Sequence, residues 1–344
     1  MRDLPLILLL VAAGFIARGQ HTVSPAYLDE NLHFTTKKHA VYQATVIANG
    51  NHWLLQAMYP DGGVLVQMSF SDKQLRIKDG SYSIYYKDGK TSMEGHFADN
   101  KANGLWQSWY NNGQLRDSGL VIADHFSGAW KHWYVGGQLK KVHRFLPFPG
   151  ETSPGTPPGT GSSAPAADVI DTLTVGYLNI SGITDGQWQC WYENGRPECE
   201  GIASHGTPDG TWKWFRENGQ PSSVETYSGG KIVRLECYDE QGVLTGNACS
   251  IQKPAVFTHP TLSAGQYIAR ELAQRYNIYR SDAGAARLQF IVTKNGKIKQ
   301  LIISGVNDLL IQYQILDILK TMPAWSPAVS HNRILDYPVS ITLY

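Results

Sequence analysis

Short segments rich in Trp and Tyr recur along the chain, each followed by a polar turn and a second segment in which apolar and polar residues alternate. Asn-Gly or Asp-Gly between two such segments is a strong hairpin signal, because both residues tolerate positive φ. The turn glycines lie 24 residues apart within each of two blocks, which cover residues 20–145 and 173–252. Together with a weaker copy ending at Gly62, 27 residues before Gly89, and a last one at Gly242, 23 residues after Gly219, this spacing predicts about seven stacked β-hairpins. The clearest turn glycines are Gly89, Gly113, Gly137, Gly195 and Gly219.

Strand alternation within one hairpin places Trp106 and Tyr110 on one face and Trp109 on the other. A single hairpin cannot bury an aromatic face, so the repeats are expected to stack into a continuous sheet with aromatic ladders. An exposed ladder would also offer a surface on which glycans or peptides stack. The tryptophans assigned to this structural motif are Trp106, Trp109, Trp130, Trp133, Trp188, Trp191 and Trp212.

Residues 104–113 contain the pattern Gly-x-Trp-x-x-Trp-Tyr-x-Asn-Gly. This pattern resembles the MORN-type repeat, in the variant form found in the YwqK-like antitoxin family. The resemblance covers roughly residues 40–250. It implies a non-catalytic interaction or scaffold surface and assigns no chemistry to any residue.

Four cysteines lie in the second half of the chain. If Asn194-Gly195 is a two-residue loop, Cys190 and Cys199 face each other across the strands, and we expect them to form a disulfide. A second pair, Cys237 with Cys249, is then possible. Their spacings do not match a zinc site, so no metal or other cofactor is predicted.

The N-terminus has one arginine, an apolar stretch from Leu4 to Ile16 and a small-residue exit at Ala17 to Gly19. This is typical of a secretory signal peptide, residues 1–19, cleaved near Gly19. The alternative is an uncleaved membrane anchor. Export to the periplasm or cell envelope of a Gram-negative-type bacterium is expected, where disulfides persist.

A Pro-, Gly- and Ser-rich segment, residues 146–172, is expected to be a linker between the repeat blocks. The pattern changes again in residues 258–344. A capping box at Ser263 begins a helix, Lys294-Asn295-Gly296-Lys297 joins two strands, and Asp308 caps a second helix from Leu309 to about Met322. A last strand runs from Ile334 to Leu343. The apolar positions assigned to the second helix are Leu309, Leu310, Tyr313, Leu316 and Leu319.

This helix-strand-strand-helix-strand order accompanies two motifs, one from Phe290 to Ile298 and one formed by Pro323, Trp325 and Pro327. Together they resemble the C-terminal domain of TonB-type energy transducers. The resemblance implies a small α+β domain that binds peptide segments of outer-membrane receptors by adding a strand at its sheet edge. The candidate edge for partner binding consists of Arg333, Leu335, Tyr337 and Val339 with their neighbours. The whole chain is therefore expected to be a mainly β repeat sheet with a small α+β domain.

Lys plus Arg number 30 and Asp plus Glu number 29, a balance that argues against nucleic-acid binding through bulk charge. Zinc-protease and nucleophile-elbow motifs are absent, so an enzyme is not expected. The leading hypothesis is a non-catalytic cell-envelope interaction protein that binds envelope proteins or receptor peptides. The alternatives are a TonB-type energy transducer or its accessory, which needs membrane retention, and a glycan-binding aromatic surface.

Overall fold

The computed structural model describes residues 22–147, 173–175, 178–180, 182–279 and 286–343. The expected signal segment and nearly all of the expected linker lie outside these residues. The chain divides into two compact units. The first contains the described residues up to Gln187 together with Ala203–Thr207, and the second contains Trp188–Ile202 and everything from Pro208 onward.

The described residues form mostly antiparallel β-strands, with two α-helices near the C-terminus, and the predicted fold class is confirmed. The helices are α1 Ala264–Tyr276 and α2 Leu309–Thr321, and a short 3-10 helix covers Lys37–His39. The strands are β1 Thr22–Leu28, β2 Tyr42–Asn49, β3 His52–Met58, β4 Val64–Phe70, β5 Lys78–Tyr85, β6 Thr91–Ala98, β7 Lys101–Ala102, β8 Gly104–Trp109, β9 Leu115–Ile122, β10 His125–Trp133, β11 Leu139–Phe145, β12 Leu173–Val175, β13 Leu178–Ile180, β14 Thr184–Trp191, β15 Pro197–Ser204, β16 Thr207–Phe215, β17 Pro221–Ser228, β18 Lys231–Tyr238, β19 Leu244–Gly246, β20 Gln252–Lys253, β21 Val256–Phe257, β22 Arg287–Val292, β23 Ile298–Ser304, β24 Trp325–Ser326, β25 Ala328–Ser330, β26 Arg333–Leu335 and β27 Tyr337–Thr342.

The turns of the repeats differ from the two-residue loops expected from the sequence. In the hairpin of β8 and β9, the Tyr110 N–H donates to the Gln114 carbonyl and the Gly113 N–H donates to the Tyr110 carbonyl, both at 2.8 Å. The loop therefore has three residues, with Gly113 at φ 86°. This is the type I turn with a glycine bulge that three-residue hairpins adopt.

A register shift just inside each loop restores the pairing that a two-residue loop would give. In β8 and β9 the shift lies next to Trp109, and beyond it Trp106 faces Gly119. The same turn bonds recur in the hairpin of β14 and β15, between Tyr192 and Arg196. The predicted disulfide between Cys190 and Cys199 is confirmed, and Cys237 is bonded to Cys249.

The tryptophan ring of one hairpin packs directly against a glycine of the hairpin before it. A Cβ atom on Gly95, Gly119 or Gly201 would lie 2.2 Å from the ring of the tryptophan eleven residues later. Only a residue without a side chain fits there, because such a distance is far inside van der Waals contact. The covered rings are almost fully buried, with relative exposures of 1% for Trp106, 3% for Trp130 and 5% for Trp212.

Tyrosine hydroxyl groups link consecutive repeats at their turns. Each hydroxyl donates to a main-chain carbonyl of the next repeat at 2.6–2.8 Å. Such bonds provide a partner for both the half-buried tyrosine hydroxyl and the main-chain carbonyl beside the next turn. The pairs are Tyr59 with Tyr85, Tyr86 with Trp109, Tyr110 with Trp133, and Tyr192 with Phe215.

His143 occupies the glycine position of the last repeat in the first unit, 24 residues after Gly119. It is fully buried and its ring contacts the ring of Phe145. The Nε2 of His132 lies 3.3 Å from the Nε2 of His143, and the His132 Nδ1 lies 2.7 Å from the carboxylate of Asp117. Burial lowers the pKa of His143 to about 2, helped by the nearby charges of Lys141 and His132.

In the C-terminal region, α1 and α2 contribute to one hydrophobic core with the three-stranded sheet β23-β22-β27. The predicted capping box is confirmed, since Ser263 accepts from the Gln266 N–H and Gln266 accepts from the Ser263 N–H. The Asp308 cap of α2 is also confirmed. The predicted last strand is divided at Asp336 into β26 and β27.

The predicted apolar face of α2 is largely wrong. Its buried residues are Ile311, Ile315, Ile318 and Leu319, whereas Leu309, Leu310, Tyr313 and Leu316 are exposed. The helix is apolar on most of its circumference, so periodicity alone does not identify the face that packs. No helix in the described ranges is long and apolar enough to cross a membrane.

Replacing Gly119 by alanine is expected to destabilise the protein by about 1–3 kcal/mol, because the new methyl group must displace the Trp130 ring. Chemical denaturation measures this loss. Gly136→Ala is the matched control, since a Cβ there meets only the flexible end of Gln138. Its effect should stay within about 0.5 kcal/mol. Equal effects of the two variants would contradict the packing constraint.

His143 is expected to make the first unit sensitive to mild acid. The folded protein keeps this ring neutral down to a pKa of about 2, while the unfolded chain binds a proton near 6.5. Stability therefore falls as the pH drops below 6.5, by at most about 1.4 kcal/mol per pH unit. Unfolding free energies at pH 7.5 and 5.0 should differ less in His143→Gln than in the wild type.

The exposed His125 provides the control for this measurement, and His125→Gln should keep the wild-type difference. Asp117 does not interfere in this range. Its burial alone would raise the pKa, but bonds from His132, Ser108 and Arg116 lower it to about 2, so the carboxylate stays ionised at both pH values. An unchanged difference in His143→Gln would contradict the prediction.

Candidate functional site

The four residues predicted for partner binding lie in two different strands. Arg333 and Leu335 belong to β26, whereas Tyr337 and Val339 belong to β27. The strand β26 pairs with β25 in a small three-stranded sheet with β20. The strand β27 is at the edge of the sheet β23-β22-β27 and pairs, among the described strands, with β22 alone.

The pairing of β27 fixes which of its main-chain groups are open. Six consecutive residue pairs join it to β22 without a register shift. The Leu343 N–H donates to the Ala286 carbonyl at 2.8 Å, just beyond the strand end. Hydrogen-bonded and non-bonded pairs alternate in an antiparallel ladder. The main-chain N–H and C=O groups of Tyr337 and Val339 therefore point toward β22, whereas those of Ser340 and Thr342 point to the open edge.

Pro338 also lies at an outward position of β27. Proline has no N–H, and within a sheet it is tolerated where that group would face away from the neighbouring strand. Its place here agrees with the assignment of the open edge. The open edge therefore carries the Pro338 carbonyl and the complete amide groups of Ser340 and Thr342.

The opposite edge of the same sheet is irregular. The strand β23 has a register shift against β22, and Gln300 within it has φ 53°. Bulges of this kind twist an edge and hinder the addition of another strand. Of the two edges, the one on β27 is the better template for an added strand.

Asp336 holds the start of β27 in place. Its carboxylate accepts from the Lys294 N–H at 2.8 Å and forms an ion pair with the Lys299 Nζ at 2.5 Å. The hydrogen bond and charge of Lys299 lower the pKa of Asp336, with a further contribution from Lys294. The beginning of the edge is thus fixed to the turn and second strand of the neighbouring hairpin.

The side chain of Arg333 is engaged within the second unit. Its guanidinium donates to the Glu198 carboxylate at 3.0 Å and to the Tyr192 hydroxyl at 2.9 Å. It also lies over the ring of Trp214, 5.0 Å from the ring centre. Arg333 is 9% exposed, so it contributes to internal contacts, and Leu335 pairs with Ala328.

The motif of Pro323, Trp325 and Pro327 forms a packing corner. Trp325 is 7% exposed and its ring contacts the rings of Phe257 and Phe290. The main-chain N–H of Trp325 donates to the Gly296 carbonyl, and a Cβ on Gly296 would collide with the Trp325 main chain. The motif therefore holds the hairpin turn against the core beside the sheet.

The repeat tryptophans divide into covered and partly exposed rings. Trp106, Trp130 and Trp212 lie beneath the glycine contacts and present no free ring face for a glycan. The other four in the motif, Trp109, Trp133, Trp188 and Trp191, are half-buried. The described residues contain no group of three or more His, Cys, Asp or Glu arranged to hold a metal ion.

Sequence reasoning missed several polar residues that the fold brings together around Trp214. Glu225 is fully buried, and His331 and Asn332 form the turn between β25 and β26. A usable signal was present, since Glu225 stands 24 residues after Gly201, at a position that is glycine in three of the five repeats with the clearest turn glycines. A buried carboxylate at a repeat position where three other repeats have glycine indicates a contact special to that repeat.

Comparison with known families supports the repeat architecture. Residues 102–119 and 208–228 match the family model described as a MORN repeat variant. The first match lies in the first unit and includes Trp106, and the second lies in the second unit and includes Trp212. No curated protein matches the chain. The matched segments do not extend into residues 258–344, and the chain is similar to MORN-type repeats in two of its hairpins.

Proposed function

We propose that this protein is a non-catalytic, repeat-based binding scaffold whose C-terminal region captures an extended peptide by strand addition at the outer edge of β27. The observation that carries the proposal is the regular pairing of β27 with β22, which leaves the outward amide groups of Ser340 and Thr342 open on the other side of the strand, beyond Pro338. The MORN-type repeats support the scaffold role, since stacked hairpins offer an extended surface.

The open edge is short, and this limits the affinity it provides. Each main-chain hydrogen bond contributes a net of about 0.5–1.5 kcal/mol, so the few bonds available give weak binding alone. Side chains beside the edge must add specificity, as in other cases of strand addition. On the outer face of the sheet, Ser340 and Gln289 are exposed, and Ile302 is 60% exposed.

The proposed partners are extended segments of outer-membrane or periplasmic proteins. Two disulfides fit an exported protein, because oxidising compartments preserve them. A polypeptide segment also suits this edge better than a glycan, since the groups that it presents are main-chain donors and acceptors.

Ser340→Pro is expected to weaken peptide binding tenfold or more, because it removes the central outward N–H without touching the ladder to β22. The probe is a seven-residue peptide selected from a displayed random library on the full-length protein. Titration by calorimetry measures the affinity. Ser340→Ala is the matched control and should bind like the wild type. Equal binding by the proline variant, shown to be folded by circular dichroism, would refute strand addition at β27.

The same peptide provides a second control through its own backbone. N-methylation of alternate residues should abolish binding in one of the two possible patterns and leave the other nearly unchanged, because only one set of amides pairs with β27. Hydrogen exchange should slow at Ser340 and Thr342 when peptide is bound. Slowed exchange confined to the repeats would place the peptide elsewhere.

Cell fractionation combined with N-terminal sequencing tests the proposed compartment. The expected result is a chain in the periplasmic fraction that begins near Gln20. A full-length chain retained with the inner membrane would contradict cleavage and would favour the energy-transducer alternative, which needs membrane retention.

A further inference from the structure

Most of the positions that the sequence assigned to the packing face of α2 lie on the exposed face of that helix. Their exposed fractions are 77% for Leu309, 62% for Leu310, 66% for Tyr313 and 37% for Leu316. The residues that bury the opposite face in the core are Ile311, Ile315, Ile318 and Leu319. A helix that is apolar on most of its circumference is normally buried on all sides. The exposed face of α2 therefore indicates a contact that the fold of one chain does not supply.

The exposed residues follow the spacing of a coiled-coil seam. Tyr313 follows Leu309 by four residues, Leu316 follows Tyr313 by three, and Lys320 follows Leu316 by four. Side chains at these intervals form one row along a helix, and in coiled coils such a row packs against a second helix. Leu310 lies beside the row. We define the α2 seam as Leu309, Leu310, Tyr313 and Leu316.

The two ends of the α2 seam carry opposite charges. Asp308 lies at the start of the helix, where its carboxylate accepts from the Leu310 N–H at 2.8 Å, and Lys320 lies in the last turn. Both residues are exposed. When two copies of α2 pack antiparallel, with the twofold axis between Tyr313 and Leu316, Asp308 of each copy lies beside Lys320 of the other.

The opposite orientation is electrostatically unfavourable. Parallel packing of two α2 helices would bring Asp308 near Asp308 and Lys320 near Lys320, and like charges in proximity repel. Antiparallel packing also places the positive end of each helix dipole beside the negative end of the other. The α2 seam is therefore complementary to a second copy of itself in the antiparallel orientation.

The area of the α2 seam suits a weak, reversible dimer. At the exposures given above, its four side chains present on the order of 400 Å² of mainly apolar surface in each copy. Two such faces with their polar rims bury about 1,000 Å² in total, at the low end of specific protein interfaces. The core holds α2 in place from its other face, so pairing requires little further ordering.

The charges beside the α2 seam disfavour a lipid surface as its occupant. Helices that lie on membranes carry several Lys or Arg residues, which attract anionic headgroups. In α2 and its cap, one lysine, Lys320, is outnumbered by the carboxylates of Asp308 and Asp317. A protein surface of matching apolar and charged pattern suits the seam better, and the second copy supplies that pattern.

We propose that the α2 seam is the contact of a symmetric homodimer, in which the α2 helices of two copies of this chain pack antiparallel. Tyr313 of each copy lies against Leu316 of the other at the centre, and ion pairs between Asp308 and Lys320 close both ends. The dimer has a dissociation constant on the order of 10 µM. This inference is independent of strand addition at β27, which uses other residues.

Sedimentation-velocity ultracentrifugation of the full-length protein, from roughly 1 to 200 µM, tests the dimer. The wild type should change from monomer to dimer across this range. Tyr313→Gln should weaken dimerisation at least tenfold, because it replaces the central apolar side chain in both copies. Ile302→Gln is the matched control and should dimerise like the wild type. Ile302 is 60% exposed, but it lies between Leu301 and Ile303, which pack on the core, and so faces away from the helices.

Two charge variants test the antiparallel orientation. Asp308→Asn removes the charge and keeps a residue that caps helices well, and Lys320→Gln removes the opposite charge. Each variant should weaken the dimer about threefold to tenfold, because it breaks both ion pairs. The double variant should be no weaker than either single variant, since no ion pair remains to be lost. Multiplied effects in the double variant would contradict the pairing of these two residues.

The remaining outcomes are equally decisive. A wild type that stays monomeric throughout the range, or a dimer that is unaffected by Tyr313→Gln, would overturn the proposal. Vesicles of phosphatidylethanolamine and phosphatidylglycerol provide the test of the lipid alternative. If the monomeric protein pelleted with these vesicles and Tyr313→Gln did not, the α2 seam would be a lipid contact and the homodimer would be refuted.

Discussion

The contact between a glycine on one hairpin and the tryptophan ring of the next sets the spacing of the repeats. No Cβ fits beneath the ring, so the tryptophan ring lies against the neighbouring strand only where a side chain is missing. This one constraint links the burial of the Trp106, Trp130 and Trp212 rings to the glycines that they cover. It also explains why Trp106, Trp130 and Trp212 are covered, whereas the other repeat tryptophans remain partly exposed.

The turns follow from a second constraint, the twist of antiparallel strands. A three-residue loop with glycine at its bulge accommodates this twist, and the added residue is offset by the register shift beside it. The pairing of Cys190 with Cys199 was therefore predicted correctly from a loop that was wrong by one residue. Which residues face each other depends on the number of loop residues together with the register shift at the bulge, and not on the loop length alone.

The sequence predicted the repeats, the helix caps and the cross-strand disulfide, because these depend on local residue types at fixed spacing. It did not predict the packed face of α2, since Ile311 and Ile315 are apolar like Leu309 and Tyr313, and only the tertiary contacts distinguish them. Nor did it place His331 beside Glu225. These residues are more than a hundred positions apart, and no periodicity connects them.

The tyrosine bonds between repeats have a consequence for how the chain can change in length. Each hydroxyl reaches a carbonyl in the neighbouring repeat, and each tryptophan reaches a glycine at one fixed separation. A deletion or insertion of a few residues within a strand would break both sets of contacts at once. Duplication or loss of a whole repeat preserves them, so proteins built on this plan should evolve in complete 24-residue modules.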